Sequence, residues 1–156
     1  MTAPPSDAAA PSPLMTLAET AAFLEREFPQ MRAGGHCYHL EAVGPMRARM
    51  RLDPGEQHLR PGGTVSGPAM MALADYVLYA AVLAQIGPVA LAVTTNLGFN
   101  FLRRPEPGPL AAECRLLKLG RRLAVGEVSI TALGSADVVC HVTGTYAIPP
   151  GRDAVS

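Results

Sequence analysis

The sequence predicts an α+β domain in which an antiparallel sheet wraps around one long buried helix. Three observations carry this reading. The stretch from Pro68 to about Ile86 is apolar almost all the way round, and such a helix must be enclosed. Six segments read as strands, from alternation or from apolar runs bounded by turn residues. Their order, a helix, two strands, the buried helix, then four strands, lacks the regular alternation of a parallel α/β sheet.

Each element has its own local reason. From Leu14 to Glu27 the residues Leu17, Ala21, Leu24 and Phe28 recur at three or four positions, a helical period that Pro29 ends. His36 to Val43 and Arg47 to Leu52 flank Gly44 and Pro45, which predicts two strands joined by a tight turn. Pro61 to Gly67 is turn chemistry, and Pro68 suits the first position of a helix preceded by Ser66 and Gly67. From Val89 to Phe101 every second residue (Val89, Leu91, Val93, Thr95, Leu97, Phe99, Phe101) falls on one face of a strand. Asn96 and Thr94 share the other face if that strand is regular; a bulge would change the assignment. Leu110 to Leu119, Leu123 to Leu133 and Val138 to Ile148 follow, joined by turns at Gly120 and Gly134 to Asp137, so they are expected as antiparallel neighbours.

Composition narrows the function classes. The 156 residues, 49% hydrophobic, suffice for one domain, expected over 14–150 behind a disordered Pro/Ala-rich lead at 1–13. Thirteen basic residues balance thirteen acidic ones, which argues against nucleic acid and anionic membranes as partners. The longest apolar run is interrupted by Asp75, Gln85, Gly87 and Pro88, so a membrane span is not expected. Cys37, Cys114 and Cys140 lack C-x-x-C spacing, which points to a reducing, cytoplasmic home without structural disulfides. His36 and His39 would fall on opposite strand faces, and His58 and His141 have no ligand partners at metal spacing. No metal or cofactor is expected.

Asp75 is the leading site candidate. It is the only fully charged side chain between Gly67 and Arg103, and desolvating a carboxylate costs several kcal/mol unless it is paired or has a use. Gly67 is the second candidate, because free amides at a helix N-terminus hold a carbonyl oxygen or an oxyanion. Eight residues separate the two, roughly 12 Å along a helix. One helix cannot bring both to one carbonyl, whereas a two-fold dimer with antiparallel central helices could. Ser66 as a nucleophile lacks a G-x-S-x-G motif around it. Met70 and Met71 read as core or pocket lining.

The segment GGTVSGPAMMALAD, from Gly62 to Asp75, resembles the signature of the hotdog-fold thioesterases of the phenylacetate-degradation (PaaI) type. There a G-x-x-H-G-G segment leads into the central helix and an acid follows. Gly63, Gly67 and Asp75 match, while Ser66 stands at the family's histidine, Pro68 at its second glycine and Arg60 at a common asparagine. TNLGFNFLRRP (Thr95 to Pro105) and LKLGRRLAVGEVSI (Leu117 to Ile130) resemble the family's later strand and hairpin. The resemblance implies a hotdog domain that hydrolyses acyl-coenzyme A as a homodimer or a dimer of dimers, without metal or cofactor. It makes Asp75 the general base or nucleophile, the Gly67 amide the carbonyl polariser, and Thr94 a hydroxyl that orients water or the acid. Proline has no amide to offer, so the oxyanion role falls on Gly67 or the following turn. The acyl tail is expected past Met71, Leu78 and Tyr79, with Pro68 and Phe101 as further substrate contacts.

Between Phe101 and Gly126, six basic residues face two acids. With the resemblance, Arg121 and Arg122, then Lys118 and Arg104, are expected to meet the phosphates of coenzyme A. Two rival readings use the same fold: a non-catalytic acyl-coenzyme A binder, favoured by Ser66 and Pro68, and a hydratase or dehydratase, which calls for a histidine beside the acid.

Overall fold

A computed structural model describes residues 12–150. The lead expected at 1–13 therefore lies outside the described residues except for its last two positions. Helix α1 (Leu17–Glu27) starts on a capping box, with Thr16 Oγ1 accepting from the Glu19 amide and Glu19 returning the bond to Thr16. A short 3₁₀ turn, Pro29–Arg32, follows. Strands β1 (Tyr38–Gly44) and β2 (Arg47–Leu52) form a hairpin whose turn holds Met46 at φ 57°. His36 precedes β1 and so is not on the strand at all.

The central helix α2 spans Gly67–Ile86, one residue earlier than its proline predicts. Ser66 Oγ caps it by accepting from the Ala69 amide at 3.4 Å, and Gly87 ends it at φ 95°. Strands β3 (Val93–Phe101), β4 (Leu110–Leu119), β5 (Leu123–Ala132) and β6 (Val138–Ala147) complete one antiparallel sheet in the order β1-β2-β4-β5-β6-β3. Wrapped on α2, it is the hotdog fold. Leu73, Val77, Leu78, Val82 and Leu83 are fully buried against strand residues such as Met50, Leu110, Ile130 and Val142. Among the described residues α2 is the one helix long and apolar enough to cross a membrane, and the sheet encloses most of it.

Three further predictions are corrected. The third strand begins at Val93, not Val89: Pro88 to Ala92 forms a turn in which Ala92 N–H donates to Val89 O, so Leu91 points out at 79% exposure. Inside β3 the pairing with β6 slips between Thr94 and Asn96, a bulge that leaves Thr95 without a cross-strand partner. The bulge moves Thr94 onto the helix side and breaks the simple odd-numbered face. Leu78 also fails as pocket lining, because it is fully buried beneath the helix against Gly126 and Gly144.

Candidate active site

Asp75 lies on α2 where the helix passes the start of β3 and the end of β6. Its Oδ1 accepts two hydroxyls, Thr94 Oγ1 at 2.6 Å and Tyr146 Oη at 2.8 Å. Tyr146 also reaches the Asp75 carbonyl at 3.3 Å. These donors are cross-strand neighbours, since Thr94 pairs with Tyr146 in register. Burial, and next the Asp75 charge, push the Tyr146 phenol far above its ordinary pKa, so it remains a proton donor at neutral pH. Asp75 Oδ2 has no partner among the described residues, which leaves one carboxylate oxygen held and the other available.

A cleft of about 240 Å³ opens at this carboxylate, walled by Phe28, Tyr79, Tyr146, Thr94 and Val93, with Glu27 at its edge. Tyr79 stacks on Tyr146, with ring centroids 5.9 Å apart, and donates to the Ala90 carbonyl at 2.9 Å. Burial, with the Glu27 charge second, raises its phenol pKa as well. Met71 shares the helix stripe of Asp75 and Tyr79 but stands outside the cleft, 38% exposed.

Gly67 opens α2, eight residues before Asp75. Its amide is one of the helix's unpaired first donors and has no acceptor among the described residues. The Phe101 ring lies over it, so that a Cβ on Gly67 would be 3.6 Å from the ring. Gly67 and Phe101 line a second recess with Arg60 and Arg104. The Ser66 hydroxyl is spent on capping, with Oγ accepting from the Ala69 amide; Ser66 meets a histidine through its backbone alone, its N–H donating to the His58 carbonyl. Pro68 is exposed beside it. Within one chain, therefore, Asp75 with Thr94 and Tyr79 forms one cluster, and Gly67 with Phe101 and Arg104 forms another.

The basic residues divide in the same way. Arg103 pairs with Asp137 at 3.8 Å and Arg115 with Glu127 at 2.8 Å. Arg104, Lys118, Arg121 and Arg122 make no ion pair among the described residues. Arg121 and Arg122 form the β4–β5 turn, one residue beyond the row Leu123, Ala147, Val93, and so lie at the Asp75 end of the sheet.

Residues 62–139, from the turn before α2 to the start of β6, match the thioesterase superfamily. The chain belongs to that superfamily. A Silicibacter protein of known structure, provisionally named a thioesterase, is 45% identical, with 91% of this chain and 97% of that one superposed at a TM-score of 0.82. A Saccharolobus solfataricus protein provisionally named an esterase is 29% identical over 65% of this chain, and the match spans just under two thirds, 66%, of that relative. The PaaI protein of Escherichia coli shares the fold at 18% identity, with a TM-score of 0.71 over 85% of this chain and 93% of its own.

Superfamily membership supports thioester hydrolysis as the general reaction of this thioesterase-fold chain. Sequence reasoning missed Tyr146 and Phe28 as parts of the site. The signal for Tyr146 was present: on the inward face of β6 it follows Cys140, Val142 and Gly144, and a buried phenol needs a hydrogen-bond partner. Among the described residues no group of three or more His, Cys, Asp or Glu could hold a metal ion. The cysteines are free thiols, with Cys114 pushed up to about 12 chiefly by burial, which makes it a poor nucleophile.

Proposed function

We propose that this chain hydrolyses an acyl-coenzyme A thioester at a site shared by two copies, as the PaaI-type resemblance implies. The observation that carries the reading is Asp75, a carboxylate on an otherwise apolar core helix, held through Oδ1 by Thr94 and Tyr146 with Oδ2 free at an open cleft. The thioester carbonyl oxygen accepts from the Gly67 N–H, which favours the negative charge that develops there. Asp75 Oδ2 then either attacks the carbonyl carbon, forming an acyl-enzyme and expelling the coenzyme A thiolate, or takes a proton from an attacking water. In both routes water finally supplies the acid's new oxygen and the thiolate takes up a proton.

The run of the elements supports sharing between chains. Gly67 lies beside Phe101 and Asp75 beside Thr94, so α2 and β3 run in opposite directions. β3 is an edge strand, and Val93, Phe101 and Leu102 beside it are 57%, 47% and 58% exposed, a surface that calls for cover. Antiparallel pairing of two β3 edges about a two-fold axis brings the Gly67 end of one chain to the Asp75 end of the other. Arg104 from one chain and Arg121 and Arg122 from the other then converge on the substrate's phosphates, with Lys118 further along the hairpin. Pro68 and Met71 belong to the surface that such a dimer covers. A reducing compartment fits the free cysteines.

The deciding experiment is thiol release from a panel of acyl-coenzyme A thioesters by the wild type, Asp75→Asn and Asp75→Ala. A fall in kcat of roughly a hundredfold or more, with a non-hydrolysable analogue still bound, is the expected result. Equal rates in the variants remove Asp75 from the chemistry. Absence of release by the wild type with the analogue bound favours the acyl-coenzyme A binder, for which the replaced Ser66 and Pro68 positions argue. No histidine lines the Asp75 cleft, which disfavours a hydratase.

A further inference from the structure

Next to the Asp75 cleft a second, open recess of about 220 Å³ lies between α1 and β1, lined in part by Leu24, Met31, Leu40 and Met50 and in part by polar side chains that include Glu25 and Arg32. Phe28 lines both spaces. Its ring meets Tyr76 edge-on at 5.5 Å and Tyr79 edge-on at 5.9 Å, and Tyr76 in turn meets Tyr38 at 4.9 Å. The Phe28 ring is therefore a wall that the two spaces share.

The local sequence explains that placement. Pro29 disfavours the α conformation at the residue before it, and Phe28 closes α1 at φ −131° and ψ 59°. The chain then tightens into the 3₁₀ turn with Met31 buried. Phe28 is thereby turned under the end of α1, onto α2, instead of continuing the helical stripe. Gly67, Thr94 and Asp75 are not among the residues that line the recess.

We infer that Phe28 is the specificity-determining wall of the acyl pocket: it confines the wild-type chain to short acyl groups, and its removal opens the neighbouring recess to longer ones. This rests on the acyl-thioester reading of the Asp75 cleft. The Asp75 cleft alone is smaller than the 300 Å³ or so at which ordinary ligand pockets begin. Joined to the recess its volume roughly doubles. The apolar side of the recess offers Leu24, Met31, Leu40 and Met50 to an alkyl chain, and each methylene that fits an apolar pocket is worth roughly tenfold in specificity.

The test is the chain-length profile of the wild type, Phe28→Ala, Phe28→Leu and Phe28→Trp over straight-chain acyl groups from acetyl to decanoyl. Affinity is measured with the non-hydrolysable thioether analogues of coenzyme A, and kcat/KM with the thioesters. Phe28→Ala and the milder Phe28→Leu are expected to move the optimum to longer chains, with at least a tenfold gain for the longer chain relative to the short one. Phe28→Trp sharpens the preference for short chains. The same optimum in the wild type and in folded Phe28→Leu, or a wild type already best with long chains, overturns the proposal. Because the thioether series reports binding alone, a shift in affinity without turnover by any protein leaves the wall in place and removes the hydrolase reading. Turnover with an unmoved profile does the reverse.

Discussion

Asp75 is held through one of its two oxygens, and under the proposed mechanism that asymmetry sets the kinetics to expect. Thr94 and Tyr146 both donate to Oδ1, so each limits rotation of the carboxylate and neither covers the free oxygen. Tyr146→Phe keeps the ring stacked on Tyr79 while deleting the donor, and Thr94→Val does the same for the hydroxyl. Each single change is expected to lower kcat roughly tenfold, the low end of what a hydrogen bond to a charged group is worth, with KM nearly unchanged. The double variant should lose more than the product of the two, because only then is the carboxylate free to turn. Steady-state kinetics of the four proteins checks this; simple multiplication of the losses would mean that the two hydroxyls act independently. Asp75 itself was legible in the sequence because a lone charge on a core helix is costly. Tyr146 is marked in the sequence as a phenol on the inward face of β6 but not as the partner of Asp75, because the two lie 71 residues apart and only strand register brings them together.

At the scale of elements, the helix sits close to the sheet because two glycines allow it. Gly126 of β5 and Gly144 of β6 are cross-strand partners, and Leu78 presses one methyl toward each. A Cβ on Gly126 would be 2.7 Å from Leu78 Cδ1, and one on Gly144 would be 2.6 Å from Leu78 Cδ2 and 2.5 Å from Leu97 Cδ2. Leu78 is fully buried and has nowhere to retreat. Gly144→Ala is therefore expected to destabilise the fold by about 1–3 kcal/mol, the usual penalty of overpacking, measured as a lowered midpoint in urea. Leu78 is one turn from Asp75, so lifting α2 also lengthens the Thr94 and Tyr146 contacts, and kcat should fall in the molecules that remain folded. Strand identities were readable from alternation, and five of the six strands begin within two residues of their predicted starts. The face of Thr94 was not readable, because the bulge at Thr95 shifts the alternation by one and leaves no mark in residue type. Leu91 misled for a related reason: it continues the apolar pattern of β3 but belongs to the turn after Pro88.

At the scale of the molecule, the proposed shared site requires Gly67 of one chain to act with Asp75 of another. Roughly 12 Å of helix rise separates them within a chain, and they open onto different recesses. Gly67→Pro deletes the amide; a Cβ there makes ordinary contact with Phe101 at 3.6 Å, but Pro68 disfavours the helical conformation at a substituted residue before it, so the variant's folding and dimerisation are matched to the wild type before its rate is read. Gly67→Pro and Asp75→Asn are each expected to be nearly inactive as homodimers. Co-refolded in equal amounts, half of the dimers are mixed, and each mixed dimer holds one doubly altered site and one site with both groups intact. Activity should return to about a quarter of the wild-type level by that symmetry count, with the mixed dimer recovered as the active species through differential tags. A chain that used its own Gly67 and Asp75 together would give no recovery at any mixing ratio. A shared site also makes activity depend on association, so specific activity should decline on dilution through the dimer's dissociation range, in step with the sedimentation-measured dimer fraction.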